Sequence, residues 1–146
     1  MNLHHETLSI ETHPGIDIHC LDAQVAAVIE RSGLTRGLVT LTPLHTTCAI
    51  TVNEFESRLV DDIRLYLRRL VPESAPWLHN DIHLRDCPRD EPENAHAHLM
   101  AMLMGASQTL ALRDGHLVLG QWQSVLFLEL DGPRARQVDV QISGAP

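Results

Sequence analysis

The stretch LVLGQWQSVLFLEL, Leu117 to Leu130, decides the fold. Taken as one strand, it carries Leu119, Val125 and Phe127 on one face and Val118, Trp122, Leu126 and Leu128 on the other. A strand apolar on both faces must be covered on both. In so short a chain this predicts a helix layer against one face and a neighbouring subunit against the other, with helices on both faces of a monomer as the alternative. Turns at Asp114 and Gly115 before it, and at Asp131, Gly132 and Pro133 after it, lead to strands at Ser107 to Leu112 and Val138 to Ile142, a meander.

Towards the N-terminus the period changes repeatedly. Leu8 to Thr12 and Ile16 to His19 are short strands flanking a turn at Pro14 and Gly15. Asp22 can cap a helix through Ala23, Val25, Ala26, Val28 and Ile29, with Gly33 as its C′ residue. GLVTLTPLHTTCAITVN, Gly37 to Asn53, is rich in β-branched residues and interrupted only by Pro43, giving two strands or one bent strand. Leu59, Val60, Ile63, Leu65, Tyr66, Leu67 and Leu70 recur at helical spacing between Ser57 and Val71. Pro72 to Pro92 is a long loop, and Asn94 caps a further helix that ends at Gly105. Strands outnumber helices, so the class is α+β: one domain over residues 1–146, with a largely antiparallel sheet and two or three helices.

At 146 residues and 16.3 kDa the chain has room for one core. Its 44% hydrophobic and 21% charged residues are those of an ordinary globular domain. A net charge of -8 opposes a phosphate backbone and 3% aromatic residues cannot build base-stacking platforms, so nucleic acid is excluded as a partner. All 11 basic residues are arginine. A Walker-type phosphate loop and every Schiff-base or lysine-base mechanism therefore fall. Cys20, Cys48 and Cys87 are far apart and form no C-x-x-C pair, which marks them as reduced thiols. Glu6 and Glu11 interrupt the N-terminus before an apolar run forms, so neither a signal peptide nor a membrane span is expected and the cytoplasm is the expected location.

The ten histidines exceed what packing requires. Alternation through LTPLHTTCAITVN puts His45, Thr47, Ala49, Thr51 and Asn53 on one face, either a solvent-facing side or the wall of a site. The same alternation separates His45 from Cys48 and argues against a Cys-His nucleophilic pair. His96 and His98 lie about 200° apart around a helix, so only one of them can enter a small site. The start of that helix suits an anion. His79, Asn80, Asp81 and His83 sit in the long loop beside Trp77, with Arg85, Arg89, Glu91 and Glu93 following. Three imidazoles with an open position make a catalytic zinc pattern, which His45, His79 and His98 can supply if the fold brings them together.

The segments HTTCAITVNE, LHND, ENAHAHLMAMLMG and DGHLVLGQWQSVLFLELDGPR resemble, in order, four blocks of the YjbQ-like family, also known as secondary thiamine-phosphate synthases. The resemblance covers nearly the whole chain. It implies an α+β fold assembled as a homotrimer, with a site at subunit junctions built from His45, His79 and His98 and from Asn53, Glu54, Trp122 and Gln123. The A-H-L match selects His98 over His96. Thr47 and Cys48 stand where the family has Ser and Ala, and Gln121 stands where it has Thr.

Three functions follow. The family name implies joining a pyrimidine diphosphate to a thiazole phosphate with release of pyrophosphate. That chemistry calls on Mg²⁺ and on cationic groups such as Arg85, with Thr46, Thr47, Asn53, Trp122 and Gln123 holding the substrate. The second is a metal-dependent hydrolase of a small anionic metabolite, with zinc on His45, His79 and His98 and Glu54 or Asp81 as general base. The third is a non-catalytic trimeric module that binds a metal or a small ligand.

Overall fold

The computed structural model describes residues 1–146. In chain order the elements are β1 (Asn2–Glu11), β2 (Gly15–Cys20), α1 (Asp22–Ser32), β3 (Arg36–Pro43), β4 (Cys48–Asn53), α2 (Ser57–Leu70), α3 (Ala95–Met104), β5 (Gln108–Arg113), β6 (His116–Leu117), β7 (Ser124–Gly132) and β8 (Ala135–Ala145). They form a five-stranded sheet ordered β1-β8-β3-β5-β6 and a three-stranded sheet ordered β2-β7-β4, all pairings antiparallel. No helix is long and apolar enough to cross a membrane.

The segment Leu117 to Leu130 is not one strand. A turn at Gly120 to Gln123 breaks it, closed by the Gln123 backbone N–H on the Gly120 carbonyl at 3.0 Å and by the Gly120 N–H on Gln123 Oε1 at 2.8 Å. The two pieces, β6 and β7, belong to different sheets, so the expected meander is absent as well. β7 does bury both faces. Val125 and Phe127 enter a core shared with α1 and the larger sheet, whereas Leu126, Leu128 and Leu130 enter a second core against α2 and α3. One face is thus covered by the larger sheet with α1 and the other by α2 and α3, all of the same chain, and no neighbouring subunit is needed for either. Burying each of these side chains contributes about 1.5–3 kcal/mol, which makes β7 the axis on which both cores depend.

The helices follow their apolar spacing. α1 buries Val25, Val28 and Ile29 and ends at Gly33 in the left-handed region, φ 65°. Asp22 opens it without capping it, because its carboxylate accepts the Val125 N–H at 2.8 Å and ties the helix to β7. α2 is capped by Glu56, whose carboxylate accepts from the N–H groups of Arg58 and Leu59. β1 and β2, adjacent in sequence, part into the two sheets.

One backbone approach is too close for a side chain. Gly37 and Gly144 face each other across β3 and β8, and a Cβ on Gly144 would stand 1.9 Å from the Arg36 carbonyl oxygen. Gly144→Ala is therefore expected to lower stability by about 1–3 kcal/mol. A thermal melt with an unchanged midpoint would show that the strand ends separate freely.

Candidate functional site

β3 and β4 lie in different sheets, and the residues between them, Leu44 to Thr47, form the crossing rather than a strand. Alternation therefore starts only at Cys48. Cys48 and Ile50 enter the first core and Ala49 the second, so the supposed polar row is not a wall. The crossing instead presents His45 and Thr46 to a cavity of about 460 Å³.

The long loop reaches this cavity in two 3₁₀ turns, Leu78–Asn80 and Ile82–Leu84. Asn80 Oδ1 accepts the Ala95 N–H at 3.1 Å and so docks the loop on the first turn of α3. Asn94 occupies the cap position, yet its side chain donates to Asp131 Oδ2 at 2.7 Å, so the cap comes from Asn80. Docking brings His79 against His98, with ring centroids 4.8 Å apart and edge to face. Arg85 folds back to donate to the His79 carbonyl at 2.9 Å. His96 points to the other side of α3, into a small pocket with Arg68 and Glu73, where its Nδ1 is buried without a partner.

His45, His79 and His98 thus border one cavity, together with Arg85, Arg134 and Arg136 and the carboxylates of Glu91 and Asp131. Arg134, Arg136, Asp131 and Glu91 escaped sequence reasoning. The signal available for the first three was the DGPRAR turn, where an aspartate and two arginines crowd six residues.

A buried ion pair underlies the site. Arg136, 5% exposed, donates through Nε to Glu129 Oε2 at 2.6 Å and through Nη2 to Oε1 at 3.1 Å, and Glu129 is 0% exposed. Glu129 also accepts from Thr12 Oγ1 and from the Asp131 N–H. The same Arg136 Nη2 donates to Thr47 Oγ1 at 3.0 Å, and Thr47 Oγ1 lies 3.0 Å from His45 Nδ1. The Thr47 backbone N–H donates to His45 Nδ1 at 3.2 Å. A nitrogen that accepts an N–H bears no proton, so neutral His45 carries its proton on Nε2 and is a donor there.

Burial, then the Arg136 charge, holds the His45 pKa below the usual imidazole value. Burial, followed by His79 and His45, does the same for His98. Both rings are neutral at pH 7. A three-imidazole metal sphere would need a lone pair on His45 Nε2 and so the surrender of the Thr47 N–H bond. The only His, Cys, Asp or Glu trio whose ligand atoms all lie within 4.8 Å of one another is elsewhere, at His13, Asp17 and His19.

A second cavity of about 750 Å³ adjoins the first across His45, Thr46 and His98, and its remaining wall is apolar apart from Cys48: Pro43, Leu44, Ala101 and Met102 with Gly105 and Ala106. Cys48 lines it too, but its thiol meets Glu129 at 3.9 Å while His45 Nδ1 is held by Thr47. Burial, and then the Glu129 charge, pushes the Cys48 thiol up to about 12, which leaves it un-ionised and no nucleophile.

The remaining expected site residues lie apart. β4 runs from Cys48, paired with Glu129, to Asn53, paired with Ser124. Asn53, Glu54, Trp122 and Gln123 therefore gather at the far end of the smaller sheet, about 17 Å from the cavity at 3.4 Å per residue. Trp122 is 68% exposed there, and Gln123 closes the Gly120 turn. Asp81 joins the two 3₁₀ turns through its backbone and does not line the cavity.

The chain matches the family described as "UPF0047 protein YjbQ-like" over residues 6–145. It is 38% identical to a UPF0047 protein of Methanothermobacter thermautotrophicus over 146 residues, covering 100% of this chain and 96% of the relative. It is 32% identical to the UPF0047 protein YugU of Bacillus subtilis over 140 residues, covering 95% and 98%. Among solved structures, it is similar to a YbjQ-like protein of unknown function from Sulfolobus solfataricus, with a TM-score of 0.88, 33% identity and 98% of both chains covered. A hypothetical protein from Aeropyrum pernix gives a TM-score of 0.87 at 33% identity, covering 97% and 98%.

Proposed function

The chain belongs to the UPF0047, YjbQ-like family, and from that premise and the lining of the cavity we propose that it binds a small phosphorylated metabolite. One observation carries this: three guanidiniums and three imidazoles, against the two carboxylates of Glu91 and Asp131, border a single cavity in a chain of net charge -8. Guanidiniums gathered in an otherwise acidic molecule, with imidazole N–H donors beside them, select an anion. Arg85, which also donates to the His79 carbonyl, and Arg134, 3.7 Å from Asp131 Oδ2, are the clamps, since Arg136 is buried against Glu129. The adjoining apolar cavity takes the organic part of the ligand.

The reaction this arrangement supports best is the thiamine-phosphate synthase displacement. The carbon–oxygen bond of a pyrimidine diphosphate breaks, the thiazole nitrogen supplies the electron pair for the new carbon–nitrogen bond, and pyrophosphate leaves. The guanidiniums take up the charge on the leaving group, and His45 Nε2–H donates to it. In a cyclic homotrimer the far end of the sheet, with Asn53, Glu54, Trp122 and Gln123, closes on the cavity of the next copy and adds the Glu54 carboxylate, which within one chain lies away from the cavity. Sedimentation showing only a 16.3 kDa species at micromolar concentration would remove that part of the proposal.

The contact of His79 with His98 at 4.8 Å favours a second reading, a divalent metal, zinc by ligand type, on His45, His79 and His98, serving hydrolysis of a small anion. Calorimetry with inorganic pyrophosphate, and release assays with pyrimidine diphosphate plus thiazole phosphate, separate these readings. Micromolar binding that Arg85→Ala weakens at least tenfold is expected, with pyrophosphate release in the presence of Mg²⁺ only when both substrates are supplied. No binding by the wild type sinks the anion site. Zinc-dependent hydrolysis of phosphoesters gives the second reading, and binding without turnover leaves a ligand-binding module.

A further inference from the structure

We propose that His13, Asp17 and His19 form a binding site for a divalent transition-metal ion, separate from the cavity. None of the three lines that cavity. They occupy one seven-residue segment, HPGIDIH, so the site forms wherever β2 forms. Asp17 and His19 are two residues apart on β2 and share a face. His13 comes from the preceding turn, where Gly15 at φ 77° reverses the chain and swings the imidazole back over the strand.

The three donors converge. His13 Nδ1 lies 3.1 Å and His19 Nε2 2.6 Å from the same atom, Asp17 Oδ2. The two rings are within 14° of parallel with centroids 6.3 Å apart, and the carboxylate oxygen lies within hydrogen-bond reach of both. Two of the ligands are held in place by further contacts, one of them on the metal-facing oxygen itself. The His13 backbone N–H donates to Asp17 Oδ2 at 2.8 Å, and the His19 ring packs edge-on to Phe127 with centroids 6.2 Å apart. Asp17 is 14% exposed and His13 79%, which leaves the outer side of the cluster open.

Zinc bonds of about 2.0–2.2 Å to nitrogen and oxygen set neighbouring ligand atoms roughly 3.3 Å apart. The His13 contact is already near that value, and the His19 contact needs to widen by under 1 Å. Each ring must then present a lone pair in place of the N–H that now meets the carboxylate. Two imidazole nitrogens and one carboxylate oxygen are too few oxygens for Ca²⁺ or Mg²⁺ and offer no sulfur for a soft ion. They suit Zn²⁺, Co²⁺ or Fe²⁺, with water filling the positions on the open side.

The test is calorimetric titration of chelator-stripped protein with Zn²⁺, and with Co²⁺ followed by visible absorption. A micromolar site that His13→Ala and His19→Ala each weaken more than tenfold, and that His98→Ala leaves intact, is expected. His13 is exposed enough that its replacement should not disturb folding, which keeps the result readable if His19→Ala unfolds the chain. Failure of the wild type to bind either ion overturns the proposal, and so does binding that both segment variants retain. Loss only in His98→Ala overturns it as well and transfers the metal to the cavity.

Discussion

Glu129→Ala is expected to lose about 3 to 5 kcal/mol of folding stability, a large part of the roughly 5 to 15 kcal/mol available to a domain of this size. The substitution leaves the Arg136 guanidinium buried with only Thr47 as a partner, and it strips the acceptor from the Asp131 N–H and one of two acceptors from Thr12 Oγ1. The cost comes mainly from that stranded charge. The double variant Glu129→Leu with Arg136→Met should therefore regain most of the loss, because neither side chain then buries a charge. Urea denaturation of both variants measures this. A loss below about 1 kcal/mol in the single variant would mean that water reaches the pair. The double variant should nevertheless bind pyrophosphate poorly, since the cavity then lacks one of its three guanidiniums.

The second large effect is on pH. His45 and His98 have lowered pKa values, so in the ligand-free protein they charge only below the ordinary imidazole value. Below about pH 6.5 the unfolded chain then binds more protons than the folded one, and stability falls as the pH falls. Anion binding runs the other way. A bound dianion favours the protonated rings, so affinity should rise by up to about tenfold per pH unit for each ring that titrates. Sulfate, whose charge is constant over this range, is the probe. Between pH 7 and 5 its affinity should climb steeply in the wild type and less steeply in His98→Gln. A flat wild-type profile would place the anion beyond reach of both rings.

Most elements were legible because their causes are local. α2 follows from the spacing of Leu59, Val60, Ile63 and Leu67 and ends before Pro72, and α1 ends at Gly33 because only glycine takes φ 65° freely. The break in the 117–130 stretch was not legible. Gly120 and Gln123 close a turn through a side-chain hydrogen bond that competes with strand pairing, and the strong apolar pattern on either side concealed it. The mistaken single strand then produced the mistaken cover, a subunit in place of the chain's own second sheet.

The amino-acid sequence by itself determined the α+β class, the three helices, the two-faced burial of Val125 to Leu130, the exclusion of lysine chemistry and the family. These depend on periodicity, composition and ordered motifs, all properties of neighbouring residues. Tertiary structure alone decided that His45, His79 and His98 border one cavity while Asn53, Glu54, Trp122 and Gln123 lie at the opposite end of the sheet. It also decided that Arg134 and Arg136 join the imidazoles and that His45 is locked as a donor. Those outcomes depend on which sheet each strand enters and on how the long loop docks on α3. Both are set by contacts between residues far apart in the chain, whose pairing leaves no periodic trace in the sequence.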